Sequence, residues 1–393
     1  MLATCTLPLF EASSHPVQSL STVTSCFTGY APLHTVSHQT ENKMTTVKGL
    51  RERFRDGESV ICAEGYMWEL ERRGFVRAGV FTPEVVLDYP ERVISLHEEY
   101  VHAGSDVVEA YTYYGHREKL KVIGRECELE TLNLNSLKMA RDVANKHGKL
   151  MAGNLSNTTT FKPNDPEAAE IARQAFKEQV EWAVKGGADY MIAETFNDLE
   201  EAIIALEVIK KYGKGMPAVI TLVIYSPDRT TDDVPVPEAL RRLEELGADC
   251  VGLNCGRGPE TMLPLLREAR KVCKGPMAAL PVPFRTNQKE KTFQSLTDPI
   301  SGEQLYPLDL DCVQCSRSDI RKFAQEARDL GIQYLGLCCG SSSKALREVA
   351  EALGRKPPAS VYTPDLDKSF VMGKSVEGHA KKVREFMLGE TKP

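Results

Sequence analysis

Three observations predict an α/β chain folded as a (β/α)8 TIM barrel. Eight short apolar runs alternate with long amphipathic stretches. Four of the junctions between them repeat one pattern: AGSDVVEA (103–110), GGADYMIAE (186–194), LGADCVGLN (246–254) and LGIQYLGLC (330–338). Each reads as a helix end, a Gly turn and a buried strand that finishes on a functional residue type. Finally, no G-x-G-x-x-G opens a helix, whereas the competing doubly wound open sheet usually carries one after its first strand. Alternating strands and helices without that fingerprint favour the barrel.

Taken in order, residues 1–46 are predicted to be a disordered extension. Residues 1–43 are rich in Ser and Thr, and Lys43 is their only Lys or Arg. They have neither the charged start and apolar core of a secretory signal nor the arginines of a mitochondrial presequence, so a cytoplasmic location is expected. Met44 is a candidate alternative start. The barrel is expected over 47–356. Its strands are read at SVICAEG (59–65), SDVVEAYTYY (105–114), KLMAGNLS (149–156), ADYMIAETF (188–196), PAVITLVIY (217–225), ADCVGLNC (248–255), PMAALPV (276–282) and IQYLGLCC (332–339). Their length, Val/Ile content and Gly, Pro or Asn flanks suit buried parallel strands. Helix patterns at 166–187 and 316–331 have N-cap candidates in Asp165 and in Ser316 or Ser318, and glycines at their ends. A last helix is expected at 344–353 and a tail over 357–393.

Composition narrows the function. The chain has 393 residues with 49 Lys plus Arg against 55 Asp plus Glu, a net charge of −6. That mild acidity, with no basic cluster, argues against nucleic-acid binding. No run approaches the ~18 apolar residues of a membrane span. Small-molecule substrates are the expected partners. Eleven cysteines, an odd number scattered over a long chain, make a poor disulfide framework. Buried thiols, metal ligands or a reactive thiol are the readings left.

The active site of such a barrel lies at the C-terminal ends of its strands. There the sequence places Glu64, Tyr111 with Tyr113 and Tyr114, Asn154, Glu194, Asn254 with Cys255, and Cys338 with Cys339. Strands six and eight are near neighbours on the rim. Cys338 and Cys339 can aim both sulfurs at one point only if the strand breaks its alternation, and the flanking Gly336 and Gly340 permit such a bend. Three thiolates suit a tetrahedral zinc ion with one open position. A substrate thiol bound there loses its proton and remains a nucleophile, so the site suits alkylation of a thiol rather than activation of water. The bland alternative is three buried structural cysteines. Cys312-x-x-Cys315 has no second pair to complete a four-cysteine site and reads as the lead-in to the helix near 318. No H-E-x-x-H occurs. His97 and His102 fall on a helix pattern, packed or solvated.

At Gly252-Leu253-Asn254-Cys255 and Gly336-Leu337-Cys338-Cys339-Gly340 the chain resembles the homocysteine S-methyltransferase family. The resemblance runs from about Gly49 to Pro358. Segments such as LERRGFVRAGVFTPE (70–84) and AYTYYGHREKL (110–120) point to its betaine-using branch. It implies Zn2+ held by Cys255, Cys338 and Cys339, homocysteine as methyl acceptor, betaine as donor, and methionine and dimethylglycine as products. Glu194 matches the residue that meets the acceptor's amino group, and Tyr114 matches a tyrosine of the donor pocket. Glu64, Gly65, Phe81, Tyr111 and Asn254 are the further substrate-binding candidates. The chain departs from the family at Ala63-Glu64-Gly65, where Asp-Gly-Gly is usual, at Phe81 in place of Trp, and at Thr195 in place of an aromatic. Glu64 either takes over the amino-group contact or blocks the pocket. A sulfonium donor such as S-methylmethionine, and a zinc-binding paralogue without catalysis, are the alternatives. Only 393 − 339 = 54 residues follow Cys339. A homodimer is compatible with this tail, and a tetramer built on a full dimerisation arm is not expected.

Overall fold

The computed structural model describes residues 47–370, 372–373 and 378–389. The extension predicted over 1–46 lies outside the described residues. Eight parallel strands form one sheet: β1 (Val60–Ala63), β2 (Val107–Glu109), β3 (Leu150–Ser156), β4 (Tyr190–Phe196), β5 (Ala218–Leu222), β6 (Cys250–Asn254), β7 (Met277–Leu280) and β8 (Tyr334–Leu337). The pairing order β1-β8-β7-β6-β5-β4-β3-β2 is that of a nearly closed barrel. At the β1–β2 seam, Asp106 N–H donates to Ile61 O at 2.8 Å, and the Asp106 carboxylate accepts from Ile61 N–H at 2.8 Å. A side chain thus supplies an acceptor that the backbone ladder lacks there.

Seven crossover helices and one that follows β8 surround the sheet: α1 (Pro90–Ala103), α2 (Leu129–His147), α3 (Pro166–Lys185), α4 (Leu199–Tyr212), α5 (Val236–Glu245), α6 (Pro259–Val272), α7 (Arg317–Asp329) and, last, α8 (Ser343–Ala352). The caps follow the sequence. Asp165 accepts from the N–H groups of Glu167 and Ala168, and Ser316 forms a capping box with Asp319. As expected, Cys312 and Cys315 precede α7. Both helix histidines also fall as read, His97 buried and His102 exposed. None of the described helices is long and apolar enough to cross a membrane.

Alternation along each strand sorts the core. Val60, Cys62, Val107, Leu150, Ala152, Tyr190, Ile192, Val219, Cys250, Ala278, Leu280 and Tyr334 form the barrel interior, closed below by Leu50 and Phe54 of a short helix, Leu50–Arg55. The intervening residues, such as Ile61, Val108, Met151 and Met191, pack against the helices. At mid-height the Tyr190 and Tyr334 hydroxyls meet at 2.8 Å. Two residues further up, the same inward series reaches Glu64, Glu109, Asn154, Glu194, Asn254 and Cys338. Period two therefore converts an apolar barrel floor into a polar ceiling.

Candidate active site

A cavity of about 200 Å³ opens at the C-terminal end of the strands. Its wall includes Gly65, Phe81, Glu109, Tyr111, Tyr113, Tyr114, Glu194, Thr195, Cys255, Cys338 and Cys339. Of the sequence candidates, Glu64 and Asn254 are fully buried and stand behind the wall rather than on it.

The sulfurs of Cys255, Cys338 and Cys339 lie within 4.8 Å of one another. Tetrahedral zinc with ~2.3 Å bonds separates its sulfurs by roughly 3.8 Å, so small rotations bring this set to a metal. The backbone does the converging. β8 ends at Leu337, and Gly340 adopts φ +87°. Gly336, read as part of the same bend, has a different use: a Cβ there would stand 1.8 Å from Cys62 O on β1. Gly65 adopts φ +83°, and a Cβ on it would meet Cys338 O at 2.7 Å, so the turn after β1 lies directly against the cysteine pair. Cys255 itself is held at φ +53°. In the protein alone, hydrogen bonds from Cys338 and Cys339 hold the Cys255 thiol well below its ordinary range. Burial pushes Cys338 up. Three sulfurs this close together are a donor set suited to a soft metal ion.

Beside the thiols, two asparagines tie together three glutamates. Asn154 Nδ2 donates to Glu194 Oε1 at 2.6 Å and to Glu109 Oε1. Asn254 Nδ2 is shared among Glu194 Oε2 at 2.8 Å, Glu64 Oε2 at 2.9 Å and Thr195 Oγ1 at 2.7 Å. Asn254 Oδ1 accepts from Thr195 N–H at 2.9 Å. Burial and the neighbouring carboxylates push Glu64 and Glu109 well above the usual carboxylate range. Burial raises Glu194 too, but hydrogen bonds from Glu109, Asn154 and Glu64 oppose that. Glu109 and Glu194 line the cavity, and Glu64 stands behind them. Glu109 escaped the sequence reading, which followed the tyrosines beyond it. The signal was there, since Glu109 follows inward Val107 at the strand period.

Aromatic rings form the rest of the wall. The sequence reading expected alternation to send one or two of Tyr111, Tyr113 and Tyr114 inward and at least half of the aromatic candidates to pack elsewhere. Instead Tyr66, Trp68, Phe81, Tyr111, Tyr113 and Tyr114 all line the cavity. β2 ends at Glu109, so the tyrosines follow a turn rather than a strand, and Tyr114 sits at φ +57°. Tyr66 and Tyr111 stack at 5.9 Å, while Tyr113 and Tyr114 meet at 4.4 Å between centroids. Tyr225, Phe293 and Tyr306 complete the wall and were not read from sequence. Phe293 and Tyr306 come from the connection between Leu280 of β7 and Arg317 of α7. Its length was the available clue, because structureless connections beyond ~15 residues are usually functional.

Eight non-glycine residues among those described have positive φ, and Phe81, Tyr114, Thr195 and Cys255 of this wall are four of them. Such conformations cost on the order of 1–3 kcal/mol each and persist where the surroundings over-determine them. Thr195, β-branched and at φ +64°, is held by its two contacts with Asn254.

Fold and site together define a class: a (β/α)8 protein with a three-thiol metal-binding set beside an acidic, aromatic-walled cavity at its C-terminal face. Residues 60–353 match the family model for homocysteine S-methyltransferase. The chain is 34% identical to S-methylmethionine–homocysteine S-methyltransferase of Pongo abelii over 340 residues, 85% of this chain and 88% of that one. It is 33% identical to betaine–homocysteine S-methyltransferase 1 of Mus musculus over 344 residues, 85% of this chain and 81% of that one. The metallated homocysteine methyltransferase of Escherichia coli shares the fold, with a TM-score of 0.59 at 16% identity over 75% of this chain and 96% of that one. The chain belongs to the homocysteine S-methyltransferase family.

Proposed function

We propose that the protein transfers a methyl group from betaine to homocysteine, giving methionine and dimethylglycine, with zinc held by Cys255, Cys338 and Cys339. The observation that carries this reading is the convergence of three thiols on an aromatic cavity whose polar side is a glutamate cluster. Zinc in that set would acidify the acceptor thiol and keep its sulfur nucleophilic at neutral pH. Glu194 binds the acceptor's ammonium, a charge-assisted contact that fixes the amino acid while its thiol turns toward the cysteines. Glu64 supports that contact from behind the wall, and Gly65 lets the turn after β1 close against the Cys338 backbone. Asn254 orients both glutamates. The donor's quaternary ammonium has no N–H to offer, so Tyr114, Tyr111 and Phe81 hold it by their faces, each ring contributing roughly 0.5–2 kcal/mol. They also exclude water, which would compete as a methyl acceptor. The acceptor sulfur then attacks the methyl carbon in line, the carbon–nitrogen bond breaks, and its electron pair leaves on a neutral amine.

One observation favours a second donor. Among the described residues that line the cavity there is no Lys, Arg or His to meet betaine's carboxylate. Lys119 lies on the Tyr114 ring, Nζ 4.4 Å from its centroid, and is not part of the wall. S-methylmethionine carries a sulfonium and an ammonium against one carboxylate, and its net positive charge suits an acidic pocket. The relative named for that donor is as similar as the one named for betaine. The test is a donor panel with zinc-loaded protein and homocysteine, reading methionine. Formation from betaine supports the first reading, and formation from S-methylmethionine alone supports the second. No methionine from any quaternary ammonium or sulfonium would leave a binding paralogue.

A further inference from the structure

Glu64 stands apart from its two neighbours. Both oxygens of Glu194 accept from Asn154, Asn254 or Thr195, and both oxygens of Glu109 have partners in Asn154 and Cys62. Glu64 Oε2 is held by Asn254, but Glu64 Oε1 is buried without a donor. An orphaned oxygen of this kind costs free energy and needs an explanation. Its surroundings point to a cation. An oxygen of Glu64 and one of Glu194 lie within 4.8 Å of Cys338 Sγ, a second ligand-like group that shares a sulfur with the three-thiol set. The backbone fixes this neighbourhood: Glu64 N–H donates to Leu337 O at 3.1 Å, and Gly65 abuts Cys338. Sulfur and oxygen on a tetrahedral zinc ion stand roughly 3.6 Å apart, so Glu64, already near Cys338, has to move toward the other two thiols to join them.

We infer that Glu64 is the fourth ligand of the metal when no acceptor is bound, and that the acceptor thiol displaces it. The inference rests on the zinc reading above. It gives the turn after β1 a use in which Glu64 neither blocks the pocket nor idles behind it. In the resting protein the carboxylate would close a Cys3Glu site, its proton released to solvent as the metal binds, and would keep the open position from water. When the acceptor's thiol binds, sulfur replaces oxygen, the thiol proton is taken up by the departing carboxyl, and Glu64 falls back beside Glu194 near the ammonium. Glu194 is not the ligand, because its oxygens are already held and it faces the cavity.

Cobalt(II) substituted into the full-length protein reads the ligand set directly. The expected spectrum without acceptor is four-coordinate with three-thiolate charge transfer, and homocysteine should raise that band by about one third as a fourth thiolate arrives. In Glu64→Gln the acceptor-free spectrum should change and metal affinity should fall by about tenfold or more. With homocysteine bound, the variant and wild-type spectra should coincide. Zinc X-ray absorption on the wild type needs no variant, and should give three sulfurs and one oxygen at rest and four sulfurs with homocysteine. An unchanged acceptor-free spectrum in Glu64→Gln, the same change in Glu194→Gln alone, or four sulfurs at rest would overturn the inference. Absence of any thiolate-to-cobalt band would instead overturn the three-cysteine metal site on which it rests.

Discussion

At the N-terminal end of the barrel Asp106 is buried among cations. Arg355 binds it directly, Arg53 and Lys149 approach to 4.0 Å, and Ile61 N–H donates to it. At the C-terminal end Glu64, Glu109 and Glu194 are buried with amides, a hydroxyl and a thiol around them, and no cation perturbs any of the three. The same scaffold thus buries acids in two ways. The lower one is complete and closes the β1–β2 seam. The upper ones are incomplete, because burying carboxylates without a counter-charge is costly and is tolerated where a ligand supplies it. The ammonium of an amino acid and a metal ion are the two charges that the proposed function would bring to this cluster.

The comparison breaks most visibly at the thiols. Replacing both Cys338 and Cys339 by Ala should remove the metal and at least about a thousandfold of activity, leaving a folded barrel. Full metal content in that variant, measured by elemental analysis, would return the cysteines to the structural reading. Next in size is Asp106→Ala, which strands cations and opens the seam. It should lower stability by about 3 kcal/mol in denaturant unfolding, with KM values unchanged. Glu194→Gln should do the reverse. Acceptor KM should rise by an amount equivalent to roughly 1.5–3 kcal/mol while the melting temperature holds or increases, because one more buried charge is gone. Unaltered acceptor kinetics would show that the ammonium is bound elsewhere.

Glu201 on α4 tests an intermediate case. It is buried and accepts only from Thr158 N–H and Oγ1, both at 2.7 Å, and burial raises its pKa to about 7 from 4.5. The folded protein therefore keeps a proton that the unfolded chain has released between about pH 4.5 and 7. Its contribution is present below that window and is lost as pH rises through 7. Glu201→Gln keeps an acceptor for Thr158 and should gain about 1–2 kcal/mol relative to the wild type at pH 8, and nothing at pH 4. Parallel pH profiles for the two proteins would contradict this.

The barrel was legible because its signals are periodic. Eight apolar runs with Gly turns leave few other folds, and every strand was found within its predicted run. The thiol site was legible from topology: Cys255 follows β6 directly, Cys338 and Cys339 follow β8, and strand order puts both ends on one rim. What alternation could not reach lay past the last hydrogen-bonded residue. Tyr111, Tyr113 and Tyr114 turn where the strand was expected to continue, and all three enter the cavity. Phe293 and Tyr306 arrive on a long connection whose path no local pattern encodes. Glu109 was readable from Val107 and was missed because the tyrosines beyond it drew the functional reading. Glu64 was seen, but its orphaned oxygen is a property of packing and has no sequence signature.

The most direct test of the central claim is a binding titration. Homocysteine and its desamino analogue, 4-mercaptobutyrate, would each be titrated calorimetrically into zinc-loaded protein. Both can offer a thiol to the metal, but only homocysteine brings an ammonium to the glutamates. The account expects homocysteine to bind at least about tenfold more tightly, and Glu194→Gln to erase most of that difference. Equal affinity of the two thiols for the wild-type protein would contradict it, since the buried carboxylates would then be serving something other than a cationic acceptor.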